Sequence, residues 1–315
     1  MTDKNRYRNL CETDKTIPIF SRSWWLDAVC GENNWDVAIV ERGGDIIGSM
    51  PYYKKVLWRY AILTQPPLTQ TLGPWIRHSN AKYSKILGYQ KDVMDGLIKQ
   101  LPHFDYFFQN WHYSNLNWLP FYWHGFQQTT NYTYVLSNLA DESKLWSDFQ
   151  ENIRTDIRKA SKRFGLQIKD DLEVSEFLHL NRLTFSRQRK KMPYSESLVT
   201  QIDSACVSNC CRKIFIAEDS EGKRHAGVYI IWDENSAYYL LGGSDPLLRN
   251  SGAMSLCLWE AIRFAATVTM RFDFEGSMIE PVERFCRAFG AKQTPYFNIT
   301  KTPSRILRLR QFLVS

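Results

Sequence analysis

The chain has 315 residues, 44% of them hydrophobic and 23% charged, a balance that suits a globular protein long enough for two domains, each with its own core. No apolar run reaches the ~18 residues of a membrane span and no charged-then-apolar leader precedes residue 20, so a cytoplasmic protein is expected. The net charge of +7 fits an anionic ligand such as a nucleotide, phospholipid or RNA without requiring one.

In chain order, a helix over 21–30 (SRSWWLDAVC) precedes strand WDVAIVER, a Gly43-Gly44 turn and strand DIIGSMPYY. A helical stretch over about 81–100, strand FDYFFQ (104–109), a helix ending at Gly125 and strand NYTYVLS (131–137) complete the first half. Aromatic residues crowd 104–126 and read first as core packing, then as a stacking surface for a base or sugar.

The second half repeats this plan. Helices are expected over about 143–163 and 173–190, followed by strands KIFIAE (213–218), HAGVYIIW (225–232) and AYYLLGG (237–243). Turn residues separate these short runs, which predicts an antiparallel meander. A helix opens near Gly252, strand MRFDFE covers 270–275, and a short helix follows with Pro281 in its first turn and Gly290 as its stop. Strand TPYFNIT (294–300) and a basic amphipathic tail close the chain. The chain thus reads as α/β (α+β), a tandem duplication with domains 1–140 and 141–300, the alternative being one large mixed domain. The tail, 301–315, packs on the first domain or touches an anionic partner.

Seven cysteines, with Cys206, Cys210 and Cys211 the only cluster, read as reduced structural thiols and not as a metal site. Three segments point to chemistry. In SDPLLRNSGA (244–253), Gly252 opens an apolar helix whose first amides lack internal partners. An anion can dock on Asn250, Ser251, Gly252 and Ala253, with Arg249 as a planar clamp; the plainer reading makes Asn250 or Ser251 a cap. In strand 270–275, alternation sends Arg271, Asp273 and Glu275 to one face, with Asp273 and Glu275 about 7 Å apart. One carboxylate then orients a substrate while the other takes a proton, or both pair with arginines. The helix ENIRTDIRKASKRFG (151–165) places Arg154 and Arg158 one turn apart over a buried Ile153–Ile157 stripe, as a solvated face or a site for a phosphate-bearing ligand.

The segments YYLLGGSDPLLRNSGAMSLCLWEAIRFA and RFDFEGSMIEPVERFCRAFGA resemble the tandem GNAT-fold acyltransferases, in particular the FemAB-like branch of peptidoglycan-bridge aminoacyltransferases, and NIRTDIRKASKRFG resembles that branch's arginine-rich helix. The resemblance implies two GNAT-like domains, each a mixed, mostly antiparallel central sheet flanked by helices. It implies transfer from acyl-CoA or aminoacyl-tRNA to an amine acceptor, such as a cell-envelope precursor. By position, Arg249, Asn250, Ser251, Gly252 and Ala253 fall on the donor's phosphate loop, whose Arg/Gln-x-x-Gly-x-Gly/Ala pattern is departed from at Met254. The coiled-coil arm of several tRNA-using members is missing between Gly165 and Lys213. Glu275 is then the base, Asp273 orients, Tyr239 protonates the leaving group, and Arg154, Arg158 and Ser277 meet the acceptor. Gln109 stands in the first half near the place of Glu275. The rival reading is a non-enzymatic module that binds RNA or an anionic membrane.

Overall fold

The structure, a computed structural model, describes residues 2–170, 172–187, 189–276 and 278–314, and side chains as far as Leu309. The chain divides into two units, Met1–Asn131 with Pro295–Ser315, and Tyr132–Thr294. These limits differ from the expected 140/141 and 300/301 because strand pairing, and not the loops, decides where each unit ends.

In chain order the elements are α1 (Asp3–Thr13), α2 (Ser23–Cys30), β1 (Trp35–Arg42), β2 (Asp45–Leu57), β3 (Tyr60–Thr64), β4 (Trp75–Ile76), α3 (Tyr83–Gln100), β5 (Tyr106–Asn110), α4 (Leu119–Trp123) and β6 (Gln127–Leu136). There follow α5 (Glu142–Asp148), α6 (Glu151–Arg158), β7 (Gln167–Lys169), α7 (Val174–Arg187), α8 (Glu196–Ser208), β8 (Arg212–Glu218), β9 (Arg224–Trp232) and β10 (Ala237–Ser244). Last come α9 (Ala253–Ala265), β11 (Phe272–Asp273), α10 (Glu280–Arg287), β12 (Lys292–Lys301) and α11 (Arg305–Val314). The meander, the helix at Gly252 and the Pro281 helix form where periodicity and turn chemistry place them. Helices α1 and α8 were not expected, since serine, threonine, asparagine and charged residues interrupt their apolar stripes.

In the first unit β1, β2 and β3 form an antiparallel meander, β3 runs parallel to β5, and β5 is antiparallel to β12. The second unit follows the same rule. Strands β7 to β10 are antiparallel, β10 is parallel to β11, and β11 is antiparallel to β6. Each parallel pair needs a long crossover, supplied by α3 in one unit and α9 in the other. The second core joins Ile153 and Ile157 of α6 to Leu256, Cys257, Ala261 and Ile262 of α9 and to Val228, Phe272 and Phe289. The first gathers Met50, Leu63, Val93, Leu97, Phe107, Trp111, Phe121 and Ile299, so the aromatic block of 104–126 supplies core.

Candidate active site

The second unit's parallel pair is short. Ala237 faces Phe272 and Tyr238 faces Asp273, and there the pairing stops. Two local events end it. The β9–β10 register slips between Tyr239 and Leu241, a bulge at Leu240 that bends β10. On the other side the chain beyond Asp273 keeps to β6, with the Phe274 amide donating to the Tyr134 carbonyl at 3.0 Å.

The lip on β10 is served by side chains of α7 in place of a strand. Asn181 Nδ2 donates to the Gly242 carbonyl at 2.8 Å, and the Ser244 amide donates to Thr184 Oγ1 at 2.8 Å. Tyr194 in turn donates to Asn181 Oδ1 at 3.0 Å. In an extended strand the N–H and C=O of one residue point the same way, so the Gly242 amide shares this edge. The Tyr239 hydroxyl fills the space a side chain at 242 would need, and rests 3.8 Å from the Met254 sulfur on the first turn of α9. Burial raises the Tyr239 phenol, with Cys286 and Cys257 nearby adding to it, and so keeps its proton on.

The other lip corrects the sequence reading. Only Phe272 and Asp273 are strand, and Glu275 has φ of 56°, in the left-handed region. Asp273 Oδ1 captures the Glu275 amide at 2.8 Å and also accepts from Thr133 Oγ1. This side-chain turn replaces the ladder and breaks the alternation that was to put both acids on one face. Asp273 is 5% exposed, and burial pushes its carboxyl up to about 6, against the pull of Thr133 and the Glu275 amide. Both carboxylate oxygens of Glu275 are shielded from solvent. Asp273 also lies close enough to Cys286 to help burial push that thiol up to about 12.

The expected anion loop is more committed than its sequence suggested. Ser251 Oγ donates to the Leu248 carbonyl at 2.8 Å and accepts from the Ala253 amide at 3.4 Å. Gly252 has φ of 80°, and an added Cβ would stand 2.3 Å from the Asp156 carbonyl oxygen. Close packing of α6 thus accounts for this glycine. Arg249 and Asn250 are exposed. On α6, Arg154 bonds Glu151 at 2.6 Å and Arg158 reaches the same carboxylate at 3.3 Å while stacking on Trp146. The two arginines close on Glu151 of their own helix and on α5, where Arg154 also donates to the Ser147 carbonyl at 3.2 Å. Ser277 lies outside the described residues.

Residues 147–280 match the model of the acetyltransferase (GNAT) domain, from α5 to the start of α10. The structure superposes on FemX with a TM-score of 0.70 at 12% identity, covering 94% of this chain and 96% of that one. The chain has a tandem GNAT fold like that of FemX, with a GNAT domain over residues 147–280. L-PGS from Bacillus licheniformis matches with a TM-score of 0.56 at 11% identity over 99% of this chain and 94% of that one. A tandem GNAT protein of the clavulanic acid biosynthesis pathway gives 0.50 at 10% identity, covering 96% and 97%. No curated protein matches the sequence. Identities this low describe the fold, and the chemistry has to be argued from the residues.

Sequence reading missed Thr133 and Asn181, and took Thr184 and Tyr194 only as the ends of a basic run, TFSRQRKKMPY, read as a cover for a site or a surface loop. The one signal was Asn181 itself, a polar residue 1% exposed beside Phe177, Leu178 and Leu180 on the inward stripe of α7.

Proposed function

We propose that the second unit is an N-acyltransferase that moves an acyl or aminoacyl group from acyl-CoA or aminoacyl-tRNA to an amine acceptor, a cell-envelope precursor being the acceptor class that the FemAB-like sequence resemblance implies. The observation that carries this reading is the parting of β10 and β11 beside two carboxylates. The donor's carbonyl would lie in that opening, its oxygen toward the Gly242 amide as the tetrahedral oxyanion forms.

Glu275, directly or through one water, takes the proton of the attacking amine. Asp273 is a positioning residue, since its Oδ1 holds the Glu275 amide and with it the left-handed turn. Tyr239 keeps its proton at neutral pH and gives it to the departing thiolate or ribose oxygen. Arg249 and Asn250 would meet the donor's anionic groups. The amides of Ser251 and Ala253 are engaged within the loop, and Met254 departs from the small residue of the usual pattern, which favours a donor held less by the loop than by the strands. Arg154 and Arg158 would contact the acceptor only by exchanging Glu151 for it, and Ser277 is proposed as a further acceptor contact.

Thermal shift with coenzyme A, acetyl-coenzyme A and charged tRNA, followed by turnover with an amine, tests this reading. Stabilisation by one donor together with product formation supports it. Stabilisation by RNA alone, with no transfer, would support the binding-only alternative.

A further inference from the structure

The β2–β3 hairpin of the first unit carries residues its core does not use. Leu57 pairs with Tyr60, so Trp58 and Arg59 form a two-residue turn. Trp58 has φ of 60° and is 91% exposed. Glycine or asparagine is the ordinary choice there, and a bulky ring gains nothing from the fold at such a position. Its neighbours Val56 and Leu57 are 74% and 48% exposed. On α11, Ile306 and Leu309 are 58% and 62% exposed. A groove of about 580 Å³, lined by Leu57, Trp58, Arg59, Tyr60, Ile62 and Leu307, joins hairpin and helix.

Charge surrounds this apolar face. Lys55, Arg59 and Arg305 are exposed near it, Arg308 is bonded to the Thr302 carbonyl, and Lys54 pairs with Asp36. Neither residues 54–60 nor 304–309 contain an acid. Among the described residues no helix is long and apolar enough to cross a membrane. We propose that this face docks on a bilayer surface containing anionic phospholipid, with Leu57 and Trp58 entering the headgroup boundary and the basic side chains lying against the lipid phosphates. A tryptophan at the tip, aliphatic neighbours and a mainly basic rim are what an interfacial lipid site combines, the nearby acids Asp36 and Asp105 being engaged by Lys54 and the Ala61 amide. RNA would have no use for Val56, Ile306 and Leu309. The proposal does not depend on the acyl-transfer reading, because every residue it uses lies in the first unit.

The test is co-sedimentation of the full chain with vesicles of phosphatidylglycerol and phosphatidylcholine in equal parts, against vesicles of phosphatidylcholine alone. The expected result is binding to the anionic vesicles that weakens with salt. Trp58→Gly, which suits the left-handed turn and should leave the melting curve intact, is expected to lower the partition coefficient about ten-fold. Lys55→Gln and Arg59→Gln should each lower it about five-fold. Absence of binding, equal binding to both vesicle types, or variants that bind like wild type would overturn the proposal. So would a concentration-dependent dimer that Trp58→Gly abolishes, since the face would then be a self-association surface.

Discussion

The two parallel strand pairs show what separates the units. In the first, Ile62 faces Tyr106 and Leu63 faces Phe107; in the second, Ala237 faces Phe272 and Tyr238 faces Asp273. By that register Phe107 stands where the second unit has Asp273, and Gln109 where it has Glu275. Phe107 is fully buried and packs edge-on against Phe126 at 5.2 Å, and Gln109 donates to the Pro51 carbonyl at 2.8 Å. Beyond the pair, Gln65 Oε1 accepts from the Asn110 amide at 2.6 Å and the Leu72 amide donates to the Asn110 carbonyl at 2.7 Å. Leu72 then bridges Trp111. The first opening is thus filled by its own chain. In the second, β11 stops at Asp273, a side chain turns the backbone, and α7 serves the strand edge from one side. The same topology closes on its own backbone once and leaves its strand edge to polar side chains once, and the difference lies in a handful of residues.

Giving the second unit the first unit's residue is the sharpest way to break this comparison. Glu275→Gln should lower kcat about 100-fold or more while the melting temperature stays within about 2 °C. Near-normal turnover would remove Glu275 as the base and leave proximity to supply the rate.

Asp273→Asn tests the buried acid. Its folded pKa of about 6 lies above the ordinary value of about 4, so the folded state holds the proton more tightly than the unfolded one. The wild type should lose stability as pH rises from about 4 to about 6 and carry the full cost, about 3 kcal/mol, above that window. Asparagine keeps the oxygen that accepts both hydrogen bonds, so the variant's denaturation free energy should gain on wild type across the window and exceed it at pH 8. A variant-minus-wild-type difference that does not grow as pH rises through this window would contradict this.

The smallest effects compare the two strand edges. Asn181→Ala strands the Gly242 carbonyl and should cost about 2 kcal/mol in urea denaturation and lower kcat/KM as well. Gln65→Ala should cost about 1 kcal/mol and leave kcat/KM unchanged. Equal effects on turnover would erase the distinction between scaffold and cleft.

Much of the fold was legible because its signals are local. The hairpins of 35–57 and 212–244 alternate and turn at glycine or aspartate, and α10 shows Val282, Phe285, Cys286 and Phe289 at helical spacing. The site was legible only in part. Asp273 and Glu275 stood out as acids in an apolar run, but the hydrogen bond from the Glu275 amide to Asp273 that shortens the strand is a competition between side chain and ladder that alternation does not register. Asn181 and Thr184 act on residues about 60 positions away, which no spacing announces. Arg154 and Arg158 looked free in sequence because Glu151, the residue that holds them, lies on the same helix at ordinary ion-pair spacing.

Hydrogen–deuterium exchange with saturating acetyl-coenzyme A, and separately with aminoacyl-tRNA, measures most directly where a donor goes. Slowed exchange at 238–244 and 273–276 with one donor, and no change at 61–65 or 106–111, is the predicted result. Protection confined to the first unit's pair, or none with either donor, would contradict the assignment of the cleft.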